Sequence, residues 1–240
     1  MMKESKNIKS LILVVLLSVS WIFAQEGGLE EVKDLEAWST IGLEYKLNKK
    51  WSFGLEEQLR LKTDVSEIDK YFTQFEAKYK AFDNLEFGGG VRYLRENDTK
   101  GNIQGYENHF RFQLDMSYKH KINDFSLKYR LRYQNKNELG ISTSDADYAK
   151  QHIRFKTSIG YNIKEWKLDP KFSAELFNHF EEGEDNGLNK YRLTLGTDYK
   201  IKKVGKIGFF YRMEKELRVD IPRTTNIIGL KFIHTIKKSI

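Results

Sequence analysis

The side chains of this chain that could do chemistry are few and widely spaced. The five histidines are His109, His120, His152, His179 and His234, and none has a close metal-binding spacing such as H-E-x-x-H. Cysteine is absent, which excludes a thiolate zinc site, a cysteine nucleophile and a disulfide framework. No G-x-S-x-G nucleophile elbow occurs either. We therefore predict no cofactor, no metal ion and no catalytic residue.

A second kind of chemistry is indicated by basic residues that alternate with apolar ones. The candidate residues are Arg111, Lys128, Arg130, Arg132, Arg154, Lys156 and Arg192. If they line one interior, their positive charge favours the passage of anions. If they pair instead with carboxylates on neighbouring strands, they fill the interior, and the protein has a structural role. The sequence leaves both interpretations open.

These side chains must be positioned by β-strands, because the apolar residues recur with a period of two. In Glu107–Lys119 the apolar residues take the even positions from Phe110 to Tyr118. In Phe125–Gln134 they take the odd positions. This alternation is typical of strands with one apolar face. About eleven such segments follow one another after residue 35, which predicts a single all-β barrel over residues 36–240.

The connections between the segments alternate in length. Short connections are predicted near Asn48–Lys50, Phe82–Asn84, His120–Asp124, Asn162–Glu165 and Lys200–Val204. Longer connections are predicted near Thr63–Asp69, Glu96–Tyr106, Asn135–Asp147, Glu181–Asn189 and Val219–Thr225. Tight turns at one end and longer loops at the other are typical of antiparallel up-and-down outer-membrane barrels. Such barrels have even strand numbers, so we predict 10–12 strands, with Gly27–Leu35 as the candidate for a twelfth.

The first residues predict export. Lys3, Lys6 and Lys9 precede the apolar run Leu11–Ala24, which is the charged and apolar arrangement of a secretory signal. The run is shorter than the roughly 18 residues expected of a spanning helix. We predict a cleaved signal peptide over residues 1–24 and a mature N-terminal segment over residues 25–35. No later run is long enough to span a membrane as a helix, so a membrane location requires a closed barrel.

The direction of the apolar face separates two functional classes. A soluble barrel puts its apolar face inside, and a membrane barrel puts it outside. Long charged residues of both signs on the polar face favour the membrane barrel, with outer-membrane lipid and the barrel-assembly machinery as partners. The alternative is a secreted soluble β-barrel that binds an apolar ligand, and a third candidate is a barrel-embedded lipid hydrolase. The net charge of +7 is spread along the chain, so we predict no nucleic-acid partner.

Three stretches carry a family resemblance: Trp38–Arg60, with its L-N-K-K-W turn and E-x-Q-x-R strand, Ser66–Tyr79 and the final hairpin. In these the chain resembles an uncharacterised family of outer-membrane barrels common in the Bacteroidetes, domain-of-unknown-function family 2490. The resemblance implies a barrel fold and an outer-membrane location but no activity. The chain departs from many such barrels in ending with Lys-Lys-Ser-Ile rather than an aromatic residue.

Overall fold

The structure, a computed structural model, describes residues 30–99, 104–141, 149–164, 167–183, 186–202 and 204–238. The chain divides into two units, Met1–Glu31 and Val32–Ile240. The predicted signal peptide over residues 1–24 lies outside the described residues. Of the predicted segment 25–35, the structure describes only the residues from Glu30 onward.

The described part of the second unit forms eleven β-strands. In chain order they are β1 (Val32–Lys46), β2 (Trp51–Lys62), β3 (Glu67–Lys80), β4 (Leu85–Asp98), β5 (Gly105–Ile122), β6 (Phe125–Glu138), β7 (Lys150–Tyr161), β8 (Asp169–Phe180), β9 (Gly187–Ile201), β10 (Gly205–Glu216) and β11 (Arg223–Lys237). Among the described residues, no helix has the length and apolarity needed to cross a membrane.

The eleven strands close into one barrel, with each strand hydrogen-bonded to the next in the chain. Every consecutive pair is antiparallel, from β1–β2 to β10–β11. Strands β1 and β11 close the barrel and are parallel, in a register that runs from Val32↔Arg223 to Lys46↔Lys237. The parallel seam is required by geometry, because an odd number of alternating strands leaves the first and last pointing the same way.

The predicted barrel class and the range of 10–12 strands are confirmed, but the expectation of an even number is wrong. The described residues of Gly27–Leu35 add no separate strand, since Val32–Leu35 are the first residues of β1; residues 27–29 lie outside the described part. Strand β1 therefore also begins before residue 36, where we had placed the start of the barrel. A parallel seam satisfies the backbone groups of both end strands without a twelfth strand.

The connections differ from the predicted lengths at two places. The β7–β8 connection, predicted to be short, spans residues 162–168 and is longer than the β4–β5, β8–β9 and β10–β11 connections. The connection between β2 and β3 is only Thr63–Ser66, as short as the turns at the opposite end. Thr63, Asp64 and Val65 all have positive φ angles, between 54° and 66°, a conformation that β-branched residues rarely adopt. The turn folds back on β1, where the Val65 amide donates to the Leu35 carbonyl at 3.1 Å. This contact holds the turn against the barrel rim.

Candidate functional site in the barrel interior

The pleat of the strands puts polar side chains inside the barrel and apolar side chains outside. On β6, Leu131 is exposed on the outer surface whereas Arg132, the next residue, is buried in the interior. On β5, Phe112 is exposed and Arg111 is buried. This is the orientation that the membrane-barrel interpretation predicts, and the reverse of a soluble barrel with an apolar interior.

The seven basic residues predicted from the sequence lie on β5, β6, β7 and β9 with interior-facing parity. Arg111, Arg132 and Arg154 are buried. Arg130 and Arg192 are mostly buried, and both contact the same carboxylate. Lys156 is directly opposite Glu175 in the β7–β8 register. Lys128 is the outlier, because its side chain is 44% exposed and its ammonium lies 3.8 Å from Glu86.

Glu175 on β8 is the carboxylate on which the interior charges converge. Its side chain is 2% exposed, and the three guanidinium groups that surround it come from the strands on both sides. Arg130 approaches to 2.6 Å, Arg154 to 2.9 Å and Arg192 to 3.4 Å. A buried carboxylate in this setting is stabilised only by its cations and would be costly without them.

Two further carboxylates, Asp115 and Glu214, form ion pairs across the interior. Arg132 binds Asp115 through two parallel hydrogen bonds of 2.6 Å and 2.7 Å, the bidentate geometry that suits a guanidinium and a carboxylate. The two residues face each other in the β5–β6 register. Glu214 on β10 pairs with Arg192 and, at 2.8 Å, with Lys190. Arg130, Arg132, Arg154 and Arg192 are thus bound to interior carboxylates, whereas Arg111 donates to the side-chain oxygens of Gln74 and Gln113 at 3.2 Å and 3.0 Å.

Aromatic rings fill the space between these charges. The Arg60 guanidinium lies 3.5 Å from the centroid of the Trp38 ring, and Arg92 lies 3.4 Å from that of Phe72. Arg154 lies 4.3 Å from the centroid of Phe177. Arginine stacks on aromatic faces because its planar cation is weakly hydrated and is attracted by the ring quadrupole.

The sequence interpretation missed these rings, because it placed aromatic residues on the outer face. The signal that could have found them is parity. Trp38 shares its side of β1 with Thr40, Phe72 shares its side of β3 with Gln74, and Phe177 shares its side of β8 with Glu175.

We call the packed middle of the interior the central plug. It comprises Trp38, Arg60, Phe72, Arg92, Arg111, Asp115, Arg132, Arg154, Glu175, Phe177, Arg192, Phe210, Arg212 and Glu214. Trp38 is 5% exposed and Phe72 is 2% exposed, so little of either ring is open to water. Phe210 packs so closely over Gly229 that a side chain at that position would overlap its ring. The interior is therefore closed at the middle of the strands.

Beyond the central plug, toward the ends of the even-numbered strands, the interior widens into a cavity of about 580 Å³ that we call the vestibule. Trp38 and Arg60 form its floor, and the Thr63 turn lies at its rim. Its lining carries eight carboxylates and seven basic side chains, so it has no strong excess of either charge. A smaller cavity of about 210 Å³, lined among others by Lys156, Asp198 and Lys231, also borders Phe210 and Arg212.

The histidines fall into different environments. His152 and His179 face each other inside the barrel, with ring centroids 4.7 Å apart. His120 stacks with Tyr129 near the turn between β5 and β6, and His234 pairs with Leu43 across the β1–β11 seam. His109 lines the vestibule together with Glu107 and Glu138, and the ligand-type atoms of these three lie within 4.8 Å of one another. Sequence spacing did not reveal this last group because it joins two strands.

Comparison with known proteins agrees with the resemblance noted in the sequence. No curated protein matches the chain significantly. A family model described as a protein of unknown function, DUF2490, matches residues 35–220, which span β1 to the connection after β10. This match includes both Trp38–Arg60 and Ser66–Tyr79, whereas β11 lies beyond it. Since the model covers most of the chain, this protein belongs to the DUF2490 family.

Proposed function

We propose that this protein is an outer-membrane β-barrel with a closed interior, which acts as a structural, non-catalytic barrel and not as an open pore. The observation that carries the proposal is the apolar outer surface. Each of the eleven strands presents large apolar side chains that are 37% or more exposed. Examples are Ile41 at 60%, Leu114 at 59% and Phe209 at 52%.

An apolar surface that runs around the whole barrel needs an apolar surrounding. Soluble monomers rarely expose contiguous apolar patches larger than a few hundred Å². The hydrocarbon core of a bilayer covers such a surface, and the closed strand ladder leaves no edge with unpaired backbone groups in lipid. The partners in this proposal are therefore outer-membrane lipid and the barrel-assembly machinery, with no nucleic acid.

The soluble alternative is poorly supported by the interior. A secreted barrel that binds an apolar ligand needs an apolar cavity, whereas the middle of this barrel holds ion pairs around Glu175 and Asp115. The vestibule, too, is lined mainly by charged and polar side chains. An apolar ligand would have to bury these groups without partners, which is unfavourable.

Aromatic side chains beside the tight turns support the membrane proposal. Trp51 at the start of β2 and Tyr79 near the end of β3 pack with ring centroids 4.8 Å apart, and so do Phe125 on β6 and Tyr161 on β7. Rings with an apolar body and a polar tip are favoured at the membrane–water boundary.

A carboxylate interrupts the outer surface. Glu57 lies between Leu55 and Leu59 on the outer side of β2, and accepts a hydrogen bond of 2.7 Å from the Thr73 hydroxyl on β3. It borders a shallow groove of about 360 Å³ that is otherwise lined by residues such as Ile41, Leu230 and Phe232. Acidic residues on the lipid face cost less than basic ones, so a single hydrogen-bonded Glu57 is compatible with lipid around it.

The closed interior favours a structural barrel over the anion-passing channel that the basic residues also allowed. An open channel keeps its lining side chains hydrated, whereas the plug arginines bind carboxylates, glutamine side chains or aromatic rings. Passage would require several buried ion pairs, such as Arg132–Asp115, to separate at the same time.

Cell fractionation with gel mobility tests the location. We expect the protein in the outer-membrane fraction, with a folded form whose migration shifts on heating. Recovery in the soluble periplasm would overturn the proposal.

Planar-bilayer recordings test the closed interior. We expect no steady conductance steps from the wild type, and measurable steps from a W38A/R60A double variant that removes a stacked pair from the plug. The heat-dependent gel shift of the same proteoliposomes establishes that both proteins are folded and inserted. Steady anion-selective steps from the wild type would support a pore and refute the structural role.

A further inference from the structure

One group of donor atoms in the vestibule belongs to neither the central plug nor the outer surface. Glu107 and His109 are two residues apart on β5, so their side chains share the interior face. Glu138 on β6 is directly opposite His109 in the strand register. Three side chains with metal-ligating atoms therefore converge from two adjacent strands, whose hydrogen-bonded ladder fixes their separation.

The separations of these atoms suit a small cation. One nitrogen of His109 and one oxygen from each of Glu107 and Glu138 all lie within 4.8 Å of one another. A tetrahedral zinc site with bonds of about 2.1 Å places its ligand atoms roughly 3.4 Å apart. The group must therefore contract by no more than about 1.4 Å, which rotation of two glutamate side chains provides.

His109 supplies independent evidence for a ligand. The residue is 5% exposed, and neither ring nitrogen has a hydrogen-bond partner among the described residues. Its Nε2 atom lies 3.3 Å from a Glu107 oxygen and 3.6 Å from a Glu96 oxygen, without hydrogen-bond geometry to either. Buried polar atoms normally have a partner, and a bound cation is one of the groups that can supply it.

Glu96 has a different role from the two other carboxylates. It lies opposite Glu107 in the β4–β5 register, but Lys70 and Lys136 bind it, the latter at 3.0 Å. These two ammonium groups compensate the charge of Glu96. Glu107 and Glu138 are the carboxylates whose oxygens converge with a ring nitrogen of His109.

We propose that Glu107, His109 and Glu138 form a binding site for a divalent transition-metal cation, with Zn²⁺ as the ion that suits this donor set. One imidazole nitrogen and two carboxylate oxygens are ligands that Zn²⁺ accepts, and the vestibule gives water access to a fourth position. The site lies in the vestibule, at the ends of the even-numbered strands. Metal binding there does not depend on whether the middle of the barrel is closed.

Calorimetric titration of the untagged, folded barrel in detergent with Zn²⁺ alone tests the site. We expect one equivalent to bind, and expect H109Q to weaken binding by at least about 100-fold, more than the loss of an outer-shell partner causes. E138Q should also weaken binding, and it carries the test if H109Q does not give the folded form on gels. Replacing Zn²⁺ by Co²⁺ should produce visible absorption that both variants lose.

His152 provides the matched control, since it is another interior histidine and lies opposite His179 rather than in this group. H152Q should bind one equivalent of Zn²⁺ with unchanged affinity. The proposal is overturned if the wild type binds no Zn²⁺, if H109Q and E138Q bind it as tightly as the wild type does, or if binding is lost in H152Q instead.

Discussion

The two faces of strand β6 place neighbouring residues in opposite surroundings. Leu131 lies on the outer face between Met116 and Phe155, and all three side chains are between 44% and 46% exposed. Arg130 and Arg132 lie on the inner face, where each binds a carboxylate at 2.6 Å. One residue step along the strand thus separates an apolar contact surface from a buried ion-pair network.

The difference teaches that the two faces are stabilised by different means. The outer face depends mainly on an apolar surrounding, because many of its large side chains are about half exposed. The inner face gains stability from pairing, because a charge buried there without its partner is strongly unfavourable. Substitutions on the two faces should therefore lower the free energy of unfolding for different reasons. The size of each loss measures how far the surroundings of the two faces differ.

The largest effect is expected at Glu175, where three arginines meet one buried carboxylate. E175Q keeps the size of the side chain but leaves the arginines without their shared anion. We expect the free energy of unfolding to fall by about 3–5 kcal/mol, the cost of breaking a buried ion pair. Urea titration of the refolded barrel in lipid vesicles measures it.

Glu86 is the control for Glu175, because it is another inward-facing carboxylate with a basic partner, Lys128, but its side chain is 38% exposed and lies 3.8 Å from the Lys128 ammonium. E86Q should cost no more than about 1 kcal/mol, as is usual for exposed pairs. Equal losses for the two variants would mean that the middle of the barrel is as hydrated as its end, contrary to a closed plug.

The arrangement of the faces was predictable from the sequence, whereas the contents of the interior were not. Alternation over Glu107–Lys119 and Phe125–Gln134 specified which residues share a face, because a strand has a period of two. Alternation does not say which residues face each other across strands. That register brings Asp115 to Arg132 and Glu138 to His109, and it becomes visible only with the pairing.

Two other features escaped prediction for physical reasons. The prediction of the strand number used the rule that bacterial barrels are even-stranded. The parallel β1–β11 seam pairs the backbone groups of the first and last strands with eleven strands instead. The inward orientation of the Trp38, Phe72 and Phe177 rings was not predicted, because aromatic residues usually lie on apolar faces. Here the stacking of Arg60, Arg92 and Arg154 gives these rings a favourable place among charges.

The second-largest effect compares the outer and inner faces of β6 itself. L131R puts a cation on the outer face, and we expect a loss of about 2–4 kcal/mol if the residue lies at mid-bilayer. K128Q removes an inward cation that is 44% exposed and should leave folding nearly unchanged. The same urea titration in vesicles compares the two. Equal tolerance of both substitutions would contradict the assignment of the outer face to lipid.

The smallest effect compares one residue type on both faces. Trp38 is buried inside against Arg60, whereas Trp51, the first residue of β2, is 40% exposed on the outer face. W38L removes a desolvated cation–π contact, worth about 2 kcal/mol, whereas W51L leaves an apolar side chain in place at a partly exposed position and should cost less than about 1 kcal/mol. Unfolding titrations of both variants measure the difference. If W51L proves as costly as W38L, the stack of Arg60 on Trp38 contributes nothing beyond the burial of a large ring, and the plug is stabilised by its ion pairs alone.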